Sequence, residues 1–125
     1  MTHAEYPCPC CGYLVFDDGP GCDEICPICF WEDDLSQLRF PMMPGANHVS
    51  LIEAQQNYAR DGVCEMRLQV HVRALQASDL RDPEWRPINA HTDHIERPVE
   101  GVDYGNSYPQ DRARLYYWRQ NDSRG

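Results

Sequence analysis

The chain has 125 residues, the size of one domain and too short for two ordinary ones. Leu, Ile, Val and Phe together number only 23, and the net charge is −9, from 11 Arg, no Lys and 20 acids. A share of these residues below ~20% with high net charge is typical of disordered chains, yet the seven Cys, three Trp and seven Tyr are residues such chains lack. This excludes a large apolar core and asks for another stabiliser, for which the cysteines are the candidates.

No stretch approaches the ~20 apolar residues of a membrane span. Met1–Glu5 has neither the basic nor the apolar region of a secretory leader. The expected location is therefore cytoplasmic, with no membrane partner. In that compartment an odd number of cysteines, four of them in two Cys-x-x-Cys pairs, argues for metal rather than disulfides. Residues 1–60 hold nine acids and two Arg, net −7, whereas residues 61–125 hold eleven acids and nine Arg, net −2. Phosphate backbones bind through Lys and Arg, so nucleic acid is a poor partner for such a chain. A basic protein suits it better.

In chain order, the first feature is the pair Cys8 and Cys11, followed after 14 residues by Cys26 and Cys29. This C-x2-C-x14-C-x2-C spacing is close to that of four-cysteine zinc sites. Two thiolates three residues apart can grip one ion from a tight turn. Pro7, Pro9 and Pro27 pre-set that turn, and Gly12 permits a positive φ beyond the second ligand. Residues 13–16 read as a strand and residues 17–21 as a turn, so the expectation is two knuckles joined through a β-hairpin, a zinc ribbon or rubredoxin-like module. The metal ligands are then Cys8, Cys11, Cys26 and Cys29, and the cofactor is one Zn²⁺, with Fe allowed by the same ligand set. Four thiolates and a divalent ion take the net charge toward −11. Metal binding supplies about 10–16 kcal/mol of apparent folding free energy, which would offset the thin core.

Three cysteines lie outside this set. Cys10, inside the first knuckle, reads as an incidental thiol, with a redox switch against a neighbouring ligand as the sharper alternative. Cys22 is a possible alternate ligand without a Cys three residues away. Cys64 is expected to pack as a small apolar residue.

Residues 6–12 (YPCPCCG) and 24–34 (EICPICFWEDD) resemble the bacterial cysteine-rich CPCC family. The likeness continues through residues 37–39, 45–47, 50–55 and 57–58, and through 81–88 and 115–119 in some members. The resemblance implies a small metal-binding protein and assigns it no reaction. Some relatives carry a hydrolase label.

Phe30-Trp31 is expected to cover the metal site. Glu32-Asp33-Asp34 reads as a solvated face or a helix start. Pro41–Gly45 is a loop. Ser50 and Glu53 form a capping box that opens a helix from about Leu51 to Arg60, with Leu51, Ala54 and Tyr58 on one face and Asp61-Gly62 closing it. In residues 64–74 the alternation of Met66, Leu68, Val70 and Val72 favours a half-buried strand, although the same residues also fit a helix at spacing four. Residues 77–109, rich in Pro, Asp and Asn, read as an ordered wrap pinned by Trp85 and Ile88. His91 and His94 lack a third marked ligand and read as surface histidines. In the basic and aromatic segment 112–119, Leu115, Tyr117 or Trp118 is expected to dock on the domain.

The sequence thus predicts a small α+β protein of one domain over residues 1–125. It comprises a zinc ribbon (6–35), a loop, helix and strand or short helix (36–76), and a Pro-rich wrap with an aromatic end (77–125). The function it favours is a structural metal site in a protein-interaction or regulatory module, as in an acidic inhibitor of a basic partner. The alternatives are rubredoxin-like electron transfer and a hydrolase-type enzyme, the latter without a recognisable nucleophile motif.

Overall fold

In this computed structural model, which describes residues 5–119, β1 (Tyr6–Pro7) and β2 (Leu14–Phe16) pair antiparallel. The leader reading of Met1–Glu5 falls, apart from Glu5, outside the described residues. Pro7 has no N–H to give, so the ladder bonds flank it: Glu5 N–H to Phe16 O at 3.1 Å and Cys8 N–H to Tyr13 O at 2.9 Å. The hairpin therefore closes around the first Cys-x-x-Cys pair. The expected hairpin joining the two knuckles is not formed. Each knuckle is itself a tight reversal that brings its own flanks into register. The second is closed in the same way by an Ile25–Glu32 bridge.

Asp34 is the helix start within the acidic triplet. Its carboxylate accepts from Ser36 N at 2.8 Å and caps α1 (Leu35–Arg39). Asp33 departs from the solvated face expected of it. It is 2% exposed and accepts from Gly21 N, Cys22 N and Cys22 Sγ at 3.0, 3.2 and 3.2 Å. The turn between the knuckles needs a buried acceptor for its N–H groups, and Asp33 is the residue that faces them.

The second helix, α2 (Leu51–Asp61), has the predicted capping box. Glu53 N–H reaches Ser50 Oγ at 3.1 Å, and Ser50 N–H reaches Glu53 Oε1 at 3.3 Å. Gly62 closes the helix with φ 76°. Leu51 and Ala54 are buried and Tyr58 is half-buried, as the pattern indicated, and Gln55 is buried beside them.

The strand favoured for residues 64–74 is overturned. Met66–His71 forms a 3₁₀ helix, with Met66 50% and Val70 86% exposed. Only Leu68 of the alternating set packs against the core cluster. Cys64 N–H is held by Cys29 O at 2.8 Å, directly after the α2 cap, and the chain then continues in local bonds such as Leu68 N–H to Glu65 O. A strand needs a neighbour to satisfy its backbone, and among the described residues none lies alongside.

The Pro-rich wrap is pinned where expected. Trp85 Nε1 donates to Pro9 O at 3.0 Å, and Ile88 N–H donates to Gln55 Oε1 at 2.9 Å. Ion pairs of Arg39 with Glu96, Arg73 with Asp79 and Arg86 with Asp93 tie down its turns. At the C-terminal end Trp118 is buried, and its Nε1 donates to the buried Asp82 at 2.9 Å. Leu115 and Tyr117 pack half-buried, while the deepest residue is Tyr116, 1% exposed. The core holds six of the seven cysteines with Phe16, Ile28, Trp31, Leu38 and Leu51. Sulfur thus occupies positions that aliphatic side chains fill elsewhere. Among the described residues no helix is long and apolar enough to cross a membrane.

Candidate metal centre

The two knuckles share one backbone design. In the first, Gly12 N–H donates to Cys8 O at 2.7 Å and Cys8 N–H to Tyr13 O. In the second, Phe30 N–H donates to Cys26 O at 2.8 Å and Cys26 N–H to Trp31 O. The residue after the second cysteine is left-handed in both, Gly12 at φ 82° and Phe30 at φ 71°. The second knuckle thus places a phenylalanine where the first has glycine. Stacking of Phe30 on His71, with centroids 4.9 Å apart, and its packing against the core compensate the strain.

The knuckles face each other and bring together Cys8, Cys11, Cys26 and Cys29. Their sulfurs lie within 4.8 Å of one another, and among the described residues these four form the one such metal-ligating group. Cys8 Sγ is 3.6 Å from Cys29 Sγ, and Cys11 Sγ is 3.7 Å from Cys26 Sγ. A tetrahedron with zinc–sulfur bonds of ~2.3 Å has an edge of about 3.8 Å. The cage is therefore of the size such an ion needs. All four residues are 0% exposed.

Burial pushes the Cys8 and Cys29 thiols well above the ordinary thiol range. Burial also opposes ionisation of Cys26. There, hydrogen bonds from the Cys11, Cys29 and Cys8 thiols and the Cys29 backbone outweigh it and hold the group well below that range. Ile28 N–H, 3.4 Å from Cys26 Sγ, adds a donor to the same sulfur. A cage of facing thiols stabilises a first thiolate in this way, and the remaining protons would leave if a divalent cation were held there.

The carbonyls of the first knuckle are taken up from outside. Pro9 O accepts from Gln55 and Trp85, Cys11 O from Arg81 at 2.8 Å, and Gly12 O from Asp82 N–H at 2.8 Å. Such a shell of partners fixes the orientation of the ligands. Trp31 packs in the same buried cluster as the four cysteines, at 1% exposure. Arg81 and Asp82 were not singled out by sequence reasoning. They lie about 70 residues from the knuckle they contact, and no periodicity marks them.

Cys22 is separated from the cage. Its thiol donates to Asp33, and burial, with that carboxylate, pushes it up to about 12. Cys64 is buried in the core, as expected, and burial pushes its thiol up to about 12. Cys10 is fully buried beside the four ligand candidates. His91 and His94 are exposed and outside the metal-ligating group. Residues 6–79 match the family model described as Cysteine-rich CPCC. No curated protein matches the chain.

Proposed function

We propose that this chain, which belongs to the cysteine-rich CPCC family, holds one Zn²⁺ through Cys8, Cys11, Cys26 and Cys29, as the structural site of a zinc-ribbon module for protein interaction. The observation that carries this reading is closure: four buried sulfurs within 4.8 Å supply a full tetrahedral shell. Catalytic zinc keeps a position open to water or substrate, whereas structural zinc does not. When bound, the ion supplies cross-linking of the two knuckles. The chain's own residues orient the thiolates and exclude water. Iron in the same cage, as in rubredoxin-like electron transfer, satisfies the same ligands; a coloured protein from the native host would favour it.

The interaction partner we infer is a basic protein met in the cytoplasm, where the thiols stay reduced. Glu5, Asp17, Asp18, Asp23 and Glu24 are exposed on the loops around the knuckles. Among the described residues none of them is ion-paired. Asp61, Glu65, Asp79, Asp82, Asp93 and Glu96, further along the chain, are each paired with an arginine instead. The wrap after residue 77 packs on the first knuckle, which supports reading the chain as one domain.

Two measurements test the proposal. Elemental analysis of protein purified from its host should find one zinc per chain, with Cys26→Ser lowering both zinc content and melting temperature. A pull-down should recover a partner at low salt that is lost at high salt or after Asp17, Asp18 and Asp23 are changed to Asn. Unchanged zinc and melting temperature in Cys26→Ser would overturn the ligand set, and a salt-insensitive partner would overturn the acidic face.

A further inference from the structure

Beside the first knuckle lies an open hollow of about 570 Å³. Tyr13, Tyr58, Trp85, Ala59 and Gly62 line it, and Arg81 forms part of its wall. The Arg81 guanidinium sits between two ring faces, 4.9 Å from the Tyr13 centroid and 4.8 Å from that of Trp85. Its Nε donates to Cys11 O at 2.8 Å. The group is thus held flat at three places, and its orientation is fixed in advance of any ligand.

Arg39, Arg60, Arg67, Arg73, Arg86 and Arg119 pair with acids. Arg81 is different: among the described residues no carboxylate pairs with it, and its two terminal NH₂ groups have no acceptor. An immobilised guanidinium with a free edge is a fork for two parallel N–H···O bonds. The Tyr58 hydroxyl, also without a partner among the described residues, lies at the same hollow. Burial raises that phenol above its ordinary value, so it stays a donor.

We propose that this hollow binds a carboxylate carried on a flat apolar group, with Arg81 as the fork, Tyr58 as an added donor, and the Tyr13 and Trp85 rings as walls. Charge selects a monoanion over a phosphate dianion. The chain is already at −9, and a loaded four-thiolate site next to the hollow adds negative charge. A small aromatic acid and the C-terminal residue of a peptide both present this chemistry. The proposal stands on the placement of Arg81 and does not depend on which ion fills the cage.

The test is a titration of the metal-loaded full chain with benzoate, followed by NMR at the Trp85 indole N–H and the Ala59 and Gly62 amides. Saturable shifts are expected with benzoate and not with its neutral isostere benzamide. Binding should be lost in Arg81→Gln and weakened in Arg81→Lys. Tyr58→Phe, which leaves the ring in place, should weaken it about fivefold, the worth of one hydrogen bond. Metal content and melting temperature of each variant show that the fold persists. Acetylphenylalanine binding more tightly than benzoate, with its amide inert, assigns the peptide source; equal or weaker binding assigns the small acid. Equal shifts from benzamide, binding retained in Arg81→Gln or Tyr58→Phe at full strength, or tighter binding of phenyl phosphate would overturn the proposal.

Discussion

Gly12 and Gly62 have nearly the same left-handed backbone, φ 82° and 76°, but opposite surroundings. A Cβ at Gly62 meets nothing within 4 Å, whereas one at Gly12 would lie 2.5, 2.7 and 2.8 Å from Cδ2, Cγ and Cε3 of Trp85. Gly62→Ala therefore carries the conformational cost alone, about 1 kcal/mol. Gly12→Ala carries the same cost and an overpacking cost of about 1–3 kcal/mol besides. The indole cannot swing aside freely, because Trp85 Nε1 is bonded to Pro9 O in the same knuckle. The expected destabilisation is then about 2–4 kcal/mol for Gly12→Ala. Urea unfolding at a fixed excess of metal measures both variants on one scale. Repeating Gly12→Ala in a Trp85→Ala background should shrink its effect to that of Gly62→Ala. Equal costs in the wild-type background, or an unchanged cost without the indole, would refute the reasoning that the wrap presses on the metal knuckle.

Other consequences can be checked with the same preparations. Ser50→Ala should cost about 1 kcal/mol in urea unfolding, because it removes the acceptor for Glu53 N–H at the start of α2. Phe30→Gly should be more stable than Phe30→Ala by about 1 kcal/mol, because both lose the stack on His71 and only glycine relieves the left-handed backbone. Burial, and for Cys22 also Asp33, holds Cys22 and Cys64 near 12. The loaded fold should accordingly show no fast alkylation by iodoacetamide at pH 8, while denaturant with chelator should release all seven thiols. Asp33→Asn should speed alkylation of Cys22, since the carboxylate opposes its ionisation; an unchanged rate would contradict that electrostatic role.

What the sequence made legible is local. The cysteine spacing marks two knuckles, and the structure brings all four sulfurs into one cage. Ser50, Glu53 and Gly62 mark α2 because a cap and its partner lie within one turn of helix. Residues 64–74 misled because their alternation is compatible with either period, and what decides between them is the presence of a neighbouring strand. The acidic triplet misled in part because Asp33 answers N–H groups of a turn eleven residues away. Trp85 was legible as a pin of the wrap, but the casing of the first knuckle by Arg81 and Asp82 was invisible for a further reason. Its contacts join residues about 70 apart, each a single donor, from the Arg81 side chain or the Asp82 backbone, meeting a single carbonyl, and no repeat in the sequence records such a meeting.

Whether one ion is held by a shell of four sulfurs is tested most directly by X-ray absorption at the metal edge of the purified protein. For zinc the expected first shell is four sulfurs at about 2.3 Å with no nitrogen or oxygen. A shell with two or fewer sulfurs, or one completed by oxygen or histidine nitrogen, would contradict the closed four-thiolate site.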